Sequence, residues 1–381
     1  MRSLREKLNA VASTKPNMPK RQEENDPFFC REHIVPIEEI SGILETTLED
    51  VKSCDPAFSG TSWNVRRLLF LDTETTGLSG GAGTIAFEVG LGFIDDRGMV
   101  IRQYVMRDYH EEPAMMREIA SYFERYDTVI SFNGKSFDLP LLESRMILSR
   151  IRLQITSLPH FDLLHAARRV YKLRLKRCNL ASLEEELLGA VRQDDLPGAL
   201  VPQRYFDYLK TREFALLEDV LRHNLQDVQS LAVLTAHLCS IFRKPERIRH
   251  DEDLFGVGKT LIRTGRVEKG RACLRIIRRS TIASKAHMHL ASSYKKSREW
   301  EQALQTWKLM VARGEGGCQP YIEMAKYYEH IQKDISKALR CAAQALTLAL
   351  NEEMLTSSAQ ESVAPIIKRI ERLKRKLARR S

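Results

Sequence analysis

The sequence predicts an α/β domain, in which helices flank a mixed sheet, followed by an all-α region of paired helices. Between residues 67 and 149, apolar runs of strand length alternate with amphipathic segments of helix length. That order favours a sheet covered by helices. After Pro245 the strand-like runs stop, and small and aromatic residues recur about every 34 positions. Such a period is typical of stacked helical pairs.

The elements of the α/β region follow in chain order. Residues 68–71 form an apolar run that predicts a buried strand, and a glycine-rich turn follows it,. The turn Asp95–Gly98 separates two further strand patterns, and Pro113 suits the first turn of a helix,. Residues 160–240 are predicted to be mainly helical. We expect strands at 67–72, 85–94, 99–106 and 128–132, and helices at 113–125, 138–149, 180–188 and 214–239.

The composition divides the chain into four regions. Residues 1–64 carry many charges and little apolar periodicity, so we expect a weakly ordered extension,. The α/β domain is placed at 65–243 and the helical repeats at 250–352. Residues 353–381 form a basic helix or tail, which is either solvated or in contact with nucleic acid,.

The repeat prediction rests on two series of positions. Both place residues of one type at nearly equal intervals, as in a tetratricopeptide array, for which three repeats are near the minimum of a stable stack. An irregular helical domain is the alternative. The first series is Leu261, Tyr294 and Tyr328, at intervals of 33 and 34, and the second is Gly270, Ala303 and Ala338, at 33 and 35.

The bulk composition narrows the class of protein. The net charge of +10 favours an anionic partner such as nucleic acid, although an inert basic surface has the same charge,. No apolar run approaches the roughly 20 residues of a membrane span, and no signal peptide is evident. The seven cysteines stand singly, without a C-x-x-C pair. We therefore expect reduced thiols, no zinc site and a cytoplasmic location.

Three segments carry acids that are unusual for their context. Asp72 and Glu74 follow an apolar strand and, two residues apart, share one face of it,. Asp138 begins a helix after a strand and a glycine turn, where helix capping is the ordinary role,. His223 and Asp227 are four apart on the last long helix of the domain and so share a helix face,.

Together these segments resemble the DEDD exonucleases of the ribonuclease H-like superfamily. The resemblance rests on D-x-E at a first strand, N-x-x-x-F-D after a later strand and H-N-x-x-D on a late helix. The motifs at 160–169, 179–184, 195–198 and 205–209 resemble the bacterial branch that joins this domain to tetratricopeptide repeats. His223 stands at the spacing that the tyrosine subclass uses, since the histidine subclass places its histidine one residue earlier.

The resemblance implies a ribonuclease H-like fold and a two-metal mechanism. Asp72, Glu74, Asp138 and Asp227 would hold two Mg²⁺ or Mn²⁺ ions, which prefer carboxylate oxygens. His223 would act as general base or would orient the attacking water. The candidate substrate contacts are Thr75, Gly77, Asn133, Phe137 and Asn224 near the acids, and Arg168, Arg169, Lys172 and Arg174 in a basic stretch.

Several of these assignments have ordinary alternatives. Asn133 and Asn224 are as well suited to hold a carboxylate in place as to bind a nucleotide, and the basic stretch over 168–177 could be a solvated helix face. We expect a 3′–5′ exonuclease acting on DNA, in DNA repair with a helicase as partner of the repeats. An RNA exonuclease is the first alternative, and a repeat scaffold with an inactive nuclease domain is the second.

Overall fold

A computed structural model of the chain describes residues 26–77, 83–189, 192, 196–278, 281–353 and 360–379. The chain divides into two units, and the boundary between them falls after Pro245. The first unit is α/β and the second is helical. The predicted fold class, a mixed sheet flanked by helices followed by a helix-rich region, is confirmed.

The sheet grows outward from the apolar run that begins at Leu68. Within the described residues it has six strands in the order β1-β4-β3-β2-β5-β6. β2 pairs in parallel with β5, and β5 with β6, whereas the other neighbours are antiparallel. The strands are β1 (Phe29–Val35), β2 (Leu68–Thr75), β3 (Ala86–Asp95), β4 (Gly98–Val105), β5 (Thr128–Ser131) and β6 (His160–Asp162).

β1 corrects the expectation that residues 1–64 are weakly ordered. Phe29 to Val35 pair with β4 from Val105 back to Met99. The charged residues within it find partners, because Arg31 makes two hydrogen bonds to Glu218 at 2.7 and 2.8 Å. The strand was missed because Arg31, Glu32 and His33, which lie on both of its faces, interrupt the apolar pattern, and charged residues are usual at a sheet edge,. Residues 1–25 lie outside the described residues.

β6 corrects the expectation that residues 160–240 are mainly helical from their start. Its three residues extend the parallel side of the sheet. A strand so short has no periodicity to read, and the helical pattern of the residues that follow dominates any sequence window. The other strands lie where they were expected, with β2 continuing to Thr75.

Helices cover this sheet, and one of them is much longer than the rest. α7 runs for 26 residues and packs against β2, β3 and β4. The helices of this unit are α1 (Leu48–Cys54), α2 (Glu112–Arg125), α3 (Asp138–Leu148), α4 (Leu163–Tyr171), α5 (Leu180–Leu183), α6 (Val201–Thr211) and α7 (Glu218–Arg243). α5 continues as a π-helical turn over Glu184–Leu188 and ends at Gly189, whose φ is 65°.

The second unit consists of helices that pack as successive pairs. α8 packs on α9, α10 on α11 and α12 on α13, while α14 packs on α13. The two series of recurring positions lie at matching places in the pairs and are buried. These helices are α8 (Asp251–Arg263), α9 (Val267–Ile276), α10 (Ala283–Lys296), α11 (Trp300–Ala312), α12 (Gln319–His330), α13 (Ile335–Glu353) and α14 (Gln360–Ala378).

The basic C-terminal helix α14 uses part of its charge within the protein. Arg369, Arg372 and Lys376 all make ion pairs with Glu329 of α12, at 2.7 to 2.8 Å. The carboxylate of Glu329 is fully buried, whereas the three cations are only partly so. These three residues therefore fix α14 to its own unit.

No helix in the described part of the chain has both the length and the apolar content that a membrane crossing needs.

Candidate active site

β2 carries the first two acids into the centre of the sheet. Because the strand continues to Thr75, Asp72 and Glu74 lie within it and point to the same face,. In the antiparallel ladder Asp72 is opposite Gly90, and Glu74 is opposite Glu88. Directly opposed residues share a face. This face therefore holds a third carboxylate, Glu88, which no motif marks.

The turn after β5 positions the next acid. Asn133 has a φ of 71°, a left-handed conformation that asparagine tolerates, and its N–H donates to Asp162 Oδ1 at 2.9 Å,. The N–H of Lys135 donates to the other oxygen of Asp162 at 3.2 Å. Asp138 then opens α3, buried, and accepts a hydrogen bond from the hydroxyl of Thr73. Asp162 thus holds the turn, and Thr73 connects Asp138 to β2.

α7 brings the last two predicted residues to the same place. His223 Nε2 lies 3.7 Å from Glu74 Oε1 and 3.7 Å from Asp227 Oδ2. The three side chains are each 13 to 14% exposed, so the group is reached from solvent but largely enclosed. One imidazole thus lies between a carboxylate of β2 and a carboxylate of α7, which are far apart in sequence.

Burial and neighbouring acids raise the affinity of three of the site acids for protons. Burial raises the pKa of Asp72 well above its usual range, and the charges of Asp227 and Asp138 raise it further. Burial and the charge of Asp72 likewise raise the pKa of Glu74. Burial raises the pKa of Asp138 to about 6, although its bond from Thr73 opposes the change. Such shifts are expected where carboxylates share a site without enough positive charge.

Arg192, which no motif marks, provides part of the missing positive charge. Arg192 makes an ion pair with Asp227 and is held by Glu184, whose oxygens lie 2.6 and 2.8 Å from the guanidinium. Glu184 is fully buried and Arg192 only 8% exposed. Arg192 Nη1 also lies 3.2 Å from His223 Nδ1. Nothing in the spacing of these residues indicates that a loop arginine reaches the acids of a strand and a helix.

The contact between Arg192 and His223 defines which nitrogen of the neutral imidazole carries the proton. A guanidinium has only donors, so Nδ1 of His223 must accept the hydrogen bond. The proton of the neutral ring is then on Nε2, the atom that faces Glu74 and Asp227. In this arrangement His223 presents a hydrogen-bond donor to the acids.

The predicted substrate contacts near the acids are only partly available. Asn224 is fully buried, and its amide bonds Asp72, so the structure favours the alternative in which it holds a carboxylate. Thr75 is buried, and its hydroxyl donates to the carbonyl of Gly77 at 2.7 Å. Asn133 is exposed, and Phe137 and Gly77 are half-buried. The glycine-rich turn predicted after β2 continues through positions 80 and 81, which lie outside the described residues.

The basic stretch after β6 also divides into two kinds of residue. Arg169 bonds the carbonyl of Cys54 at 3.2 Å and Asp55 at 3.0 Å, and so ties α4 to the segment after α1. Arg174 is mostly buried and lies over the ring of Tyr171 at 5.7 Å. Arg168 and Lys172 are exposed. Arg168 and Lys172 therefore stay accessible to nucleic acid or to solvent alike, whereas Arg169 serves the fold.

The donor set suits hard divalent cations. Carboxylate oxygens are the preferred ligands of Mg²⁺ and Mn²⁺, and the raised pKa values of Asp72 and Glu74 show that positive charge is lacking there,. Among the described residues, however, no three His, Cys, Asp or Glu side chains converge closely enough to form a ready-made metal site. The chemistry of the residues fits a metal, and their arrangement requires adjustment of side chains to bind one.

Comparison with known proteins identifies the superfamily of the domain that carries these residues. A model of the RNase H superfamily matches residues 69–239, a range that contains the four predicted acids and His223. Protein YprB of Bacillus subtilis, described as uncharacterized, is 32% identical over 356 residues, which are 92% of this chain and 84% of that protein. Proteins of this superfamily are nucleases, which implies a nucleic-acid substrate. The chain therefore belongs to the same family as YprB, and its residues 69–239 form a domain of the RNase H superfamily.

Proposed function

We propose that the protein is a DEDD-type exonuclease that hydrolyses DNA from the 3′ end with two divalent metal ions. The observation that carries the proposal is the meeting of Glu74 and Asp227 at His223 Nε2, with Asp138 close enough to Asp72 to raise its pKa. A fold alone has no use for this grouping, because buried like charges destabilise it. Phosphodiester hydrolysis does have a use for it.

The four acids would hold the metal ions. Asp72, Glu74, Asp138 and Asp227 offer eight oxygens and, when ionised, four negative charges, which two Mg²⁺ or Mn²⁺ ions would neutralise. When bound, such ions supply an activated water and stabilise the charge that develops on the leaving oxygen. Thr73 keeps Asp138 in place through its hydroxyl, and the ion pair of Arg192 limits repulsion at Asp227.

The geometry of His223 supports the water-orienting role over the general-base role. While Arg192 donates to Nδ1, Nε2 carries the proton and can donate but cannot accept,. A water beside Glu74 and Asp227 would then be held by this N–H and would give its own proton to a carboxylate. Base catalysis by His223 would require Arg192 to leave Nδ1.

The choice of DNA and of a helicase partner rests on resemblance. The quoted motifs resemble those of mitomycin repair factor B, which is predicted to act with a DNA helicase. The paired helices α8 to α13, with their recurring buried positions, support a tetratricopeptide-like array, an architecture that presents extended surfaces to partners,. Copurification of a DNA helicase from the same organism with the full chain is the expected result.

A time course on end-labelled oligonucleotides tests the activity. Single-stranded DNA, duplex DNA and RNA are incubated with Mg²⁺ or Mn²⁺, beside the variants Asp72→Ala and Asp96→Ala. Asp96 lies in the β3–β4 turn with its side chain 89% exposed, so its loss controls for the removal of one acid. We expect stepwise shortening of 5′-labelled DNA by the wild type and by Asp96→Ala, and none by Asp72→Ala.

Each other result has a definite meaning. Degradation of RNA alone would favour the RNA exonuclease. Equal activity of the wild type and Asp72→Ala would contradict the assignment of the acids. No degradation of any substrate would favour the scaffold alternative, in which the helical unit is the working part.

A further inference from the structure

A row of polar groups crosses the sheet beneath α7 and ends at Asp72. Asp72 is opposite Gly90 in one ladder, and Gly90 is opposite Gln103 in the next. The three residues therefore share a face across β2, β3 and β4. Asn224 of α7 enters this row from above and is fully buried, as is Gln103.

Gly90 makes room for the asparagine. A Cβ atom at this position would lie 2.1 Å from Asn224 Oδ1 and 2.8 Å from its Cγ. Real Cβ atoms do not approach backbone or amide atoms so closely, so any side chain at Gly90 would displace Asn224. The glycine is thus explained by a close approach of α7 to β3 and not by its own backbone conformation.

The orientation of each amide in the row follows from an acceptor that cannot donate. Gln103 Nε2 lies 2.6 Å from the carbonyl oxygen of Leu221, which fixes this atom as the nitrogen,. The same NH₂ group lies 2.9 Å from Glu88 Oε1 and 3.2 Å from Asn224 Oδ1. Three oxygens thus share the two hydrogens of Gln103,. An NH₂ group of Asn224 at this place would meet another donor, so Asn224 turns its oxygen to Gln103 and its own NH₂ group to Asp72.

The result at Asp72 is a donor aimed at one carboxylate oxygen. Asn224 Nδ2 lies 2.9 Å from Asp72 Oδ2. This bond restricts the rotation of a carboxylate that the charges of Asp227 and Asp138 would otherwise push away. If the amide of Asn224 were reversed, two oxygens would face each other, and Asp72 would turn elsewhere.

We propose that Gln103 and Asn224 are positioning residues for metal binding. The backbone carbonyl of Leu221 orients Gln103, Gln103 orients Asn224, and Asn224 sets the orientation of the Asp72 carboxylate. The inference rests on the proposed function, since it assigns the orientation to metal binding. Neither residue needs to touch the metal or the substrate. Groups that orient a metal ligand in this way are typically worth about 10–100-fold in metal affinity or activity.

Calorimetric titration of the full chain with Mn²⁺, without nucleic acid, tests the proposal. Gln103→Met keeps the volume of the side chain and removes the donor, and Asn224→Ala removes the group that contacts Asp72. Both should weaken Mn²⁺ binding about 10-fold, and raised Mn²⁺ should restore most of the nuclease rate. The control is Thr235→Val, which removes a buried hydroxyl of α7 that donates to the carbonyl of Leu231 at 2.7 Å. This variant should leave the Mn²⁺ affinity unchanged.

The double variant separates positioning from general destabilisation. Since Gln103 acts through Asn224, Gln103→Met in the Asn224→Ala background should weaken Mn²⁺ binding no further. Wild-type affinity in both single variants, or additive losses in the double variant, would overturn the proposal. Absence of Mn²⁺ binding by the wild type would overturn the proposed function as well. If circular dichroism shows that Gln103→Met does not fold, the calorimetric Mn²⁺ affinity of Asn224→Ala is the measurement that decides.

Discussion

The two units each bury acids, and they balance the charge of those acids in opposite ways. In the helical unit, burial works against ionisation of Glu329, yet bonds from Arg372 and Lys376 lower its pKa to about 2. In the α/β unit, burial and neighbouring acids raise the pKa of Asp72 and Glu74. Glu329 receives its positive charge from three cationic side chains of α14. At the site, Arg192 supplies positive charge to Asp227 of α7, which is only part of what the group of acids lacks.

The difference indicates what each group of acids is for. An acid that serves the fold is paired with cations when the chain folds, because an unpaired buried charge is costly. An acid that serves a bound cation must remain short of charge until that cation arrives. The comparison also explains why burial alone identifies neither kind, since Glu329 and Asp138 are similarly enclosed. The direction of the pKa change separates them.

The most direct test of this difference between the two units is to remove one site acid and measure the nuclease activity. Asp227→Asn keeps the size of the side chain and removes a charge. We expect at least about 10³-fold slower degradation of DNA in Mn²⁺, because metal ions contribute several kcal/mol to such reactions. Rates are measured on 5′-labelled single strands, beside Asp219→Asn, a partly exposed acid of the same helix that pairs with Arg204. Matching losses in both variants would contradict the assignment.

Removal of the fold-serving acid should affect stability instead. Glu329→Gln leaves Arg369, Arg372 and Lys376 without their shared carboxylate. The expected loss is about 2–3 kcal/mol in the free energy of unfolding of the helical unit, since buried bonds to charged groups have this magnitude. Urea unfolding followed by circular dichroism measures it. An unchanged unfolding midpoint would mean that α14 does not depend on this cluster.

Removal of a site acid should have the opposite effect on stability. The pKa of Asp138 is raised to about 6, so the stability that it contributes when protonated is lost as the pH rises through that value,. At pH 8, with metal removed by chelator, Asp138→Asn should therefore stabilise the protein by about 1 kcal/mol. The measurement is thermal unfolding at pH 8 and at pH 4, where the difference should shrink. Destabilisation at pH 8 would show that Asp138 serves the fold.

The smallest expected effect is the pH dependence that Glu329 contributes. Its pKa falls from 4.5 to about 2 on folding, so its contribution is complete above 4.5 and is lost as the pH falls toward 2,. The unfolding free energies of the wild type and Glu329→Gln should thus converge below pH 4.5. A difference that stays constant from pH 6 to pH 3 would be inconsistent with this shift.

Much of the site could be predicted from the sequence because its acids lie in local patterns. Asp72 and Glu74 follow an apolar run, and His223 and Asp227 obey a helical spacing. Gln103 and Arg192 could not be found in this way. Gln103 reaches the site only through the pairing of β4 with β3, and Arg192 only through the path of a loop. Contacts of this kind depend on the tertiary arrangement and leave no periodicity in the chain.

The fold shows the same limit. β2, β3 and β4 were predicted because apolar residues dominate them, whereas β1 was missed because Arg31, Glu32 and His33 interrupt its pattern. Arg31 is paired with Glu218, and Glu32 is paired with Arg97 and Arg102 of the β3–β4 hairpin. Local propensity therefore identified the centre of the sheet and not its edge. At the edge, contacts with distant parts of the chain determine whether a strand forms.

The position of β1 has a practical consequence for solubility. It pairs with β4 from Met99 to Val105, so a fragment begun at residue 65 would expose the backbone donors and acceptors of an otherwise buried strand. Exposed strand edges of this kind recruit strands of other molecules and promote aggregation. A shortened form of the α/β unit should therefore begin before Phe29, even though the superfamily match starts at residue 69.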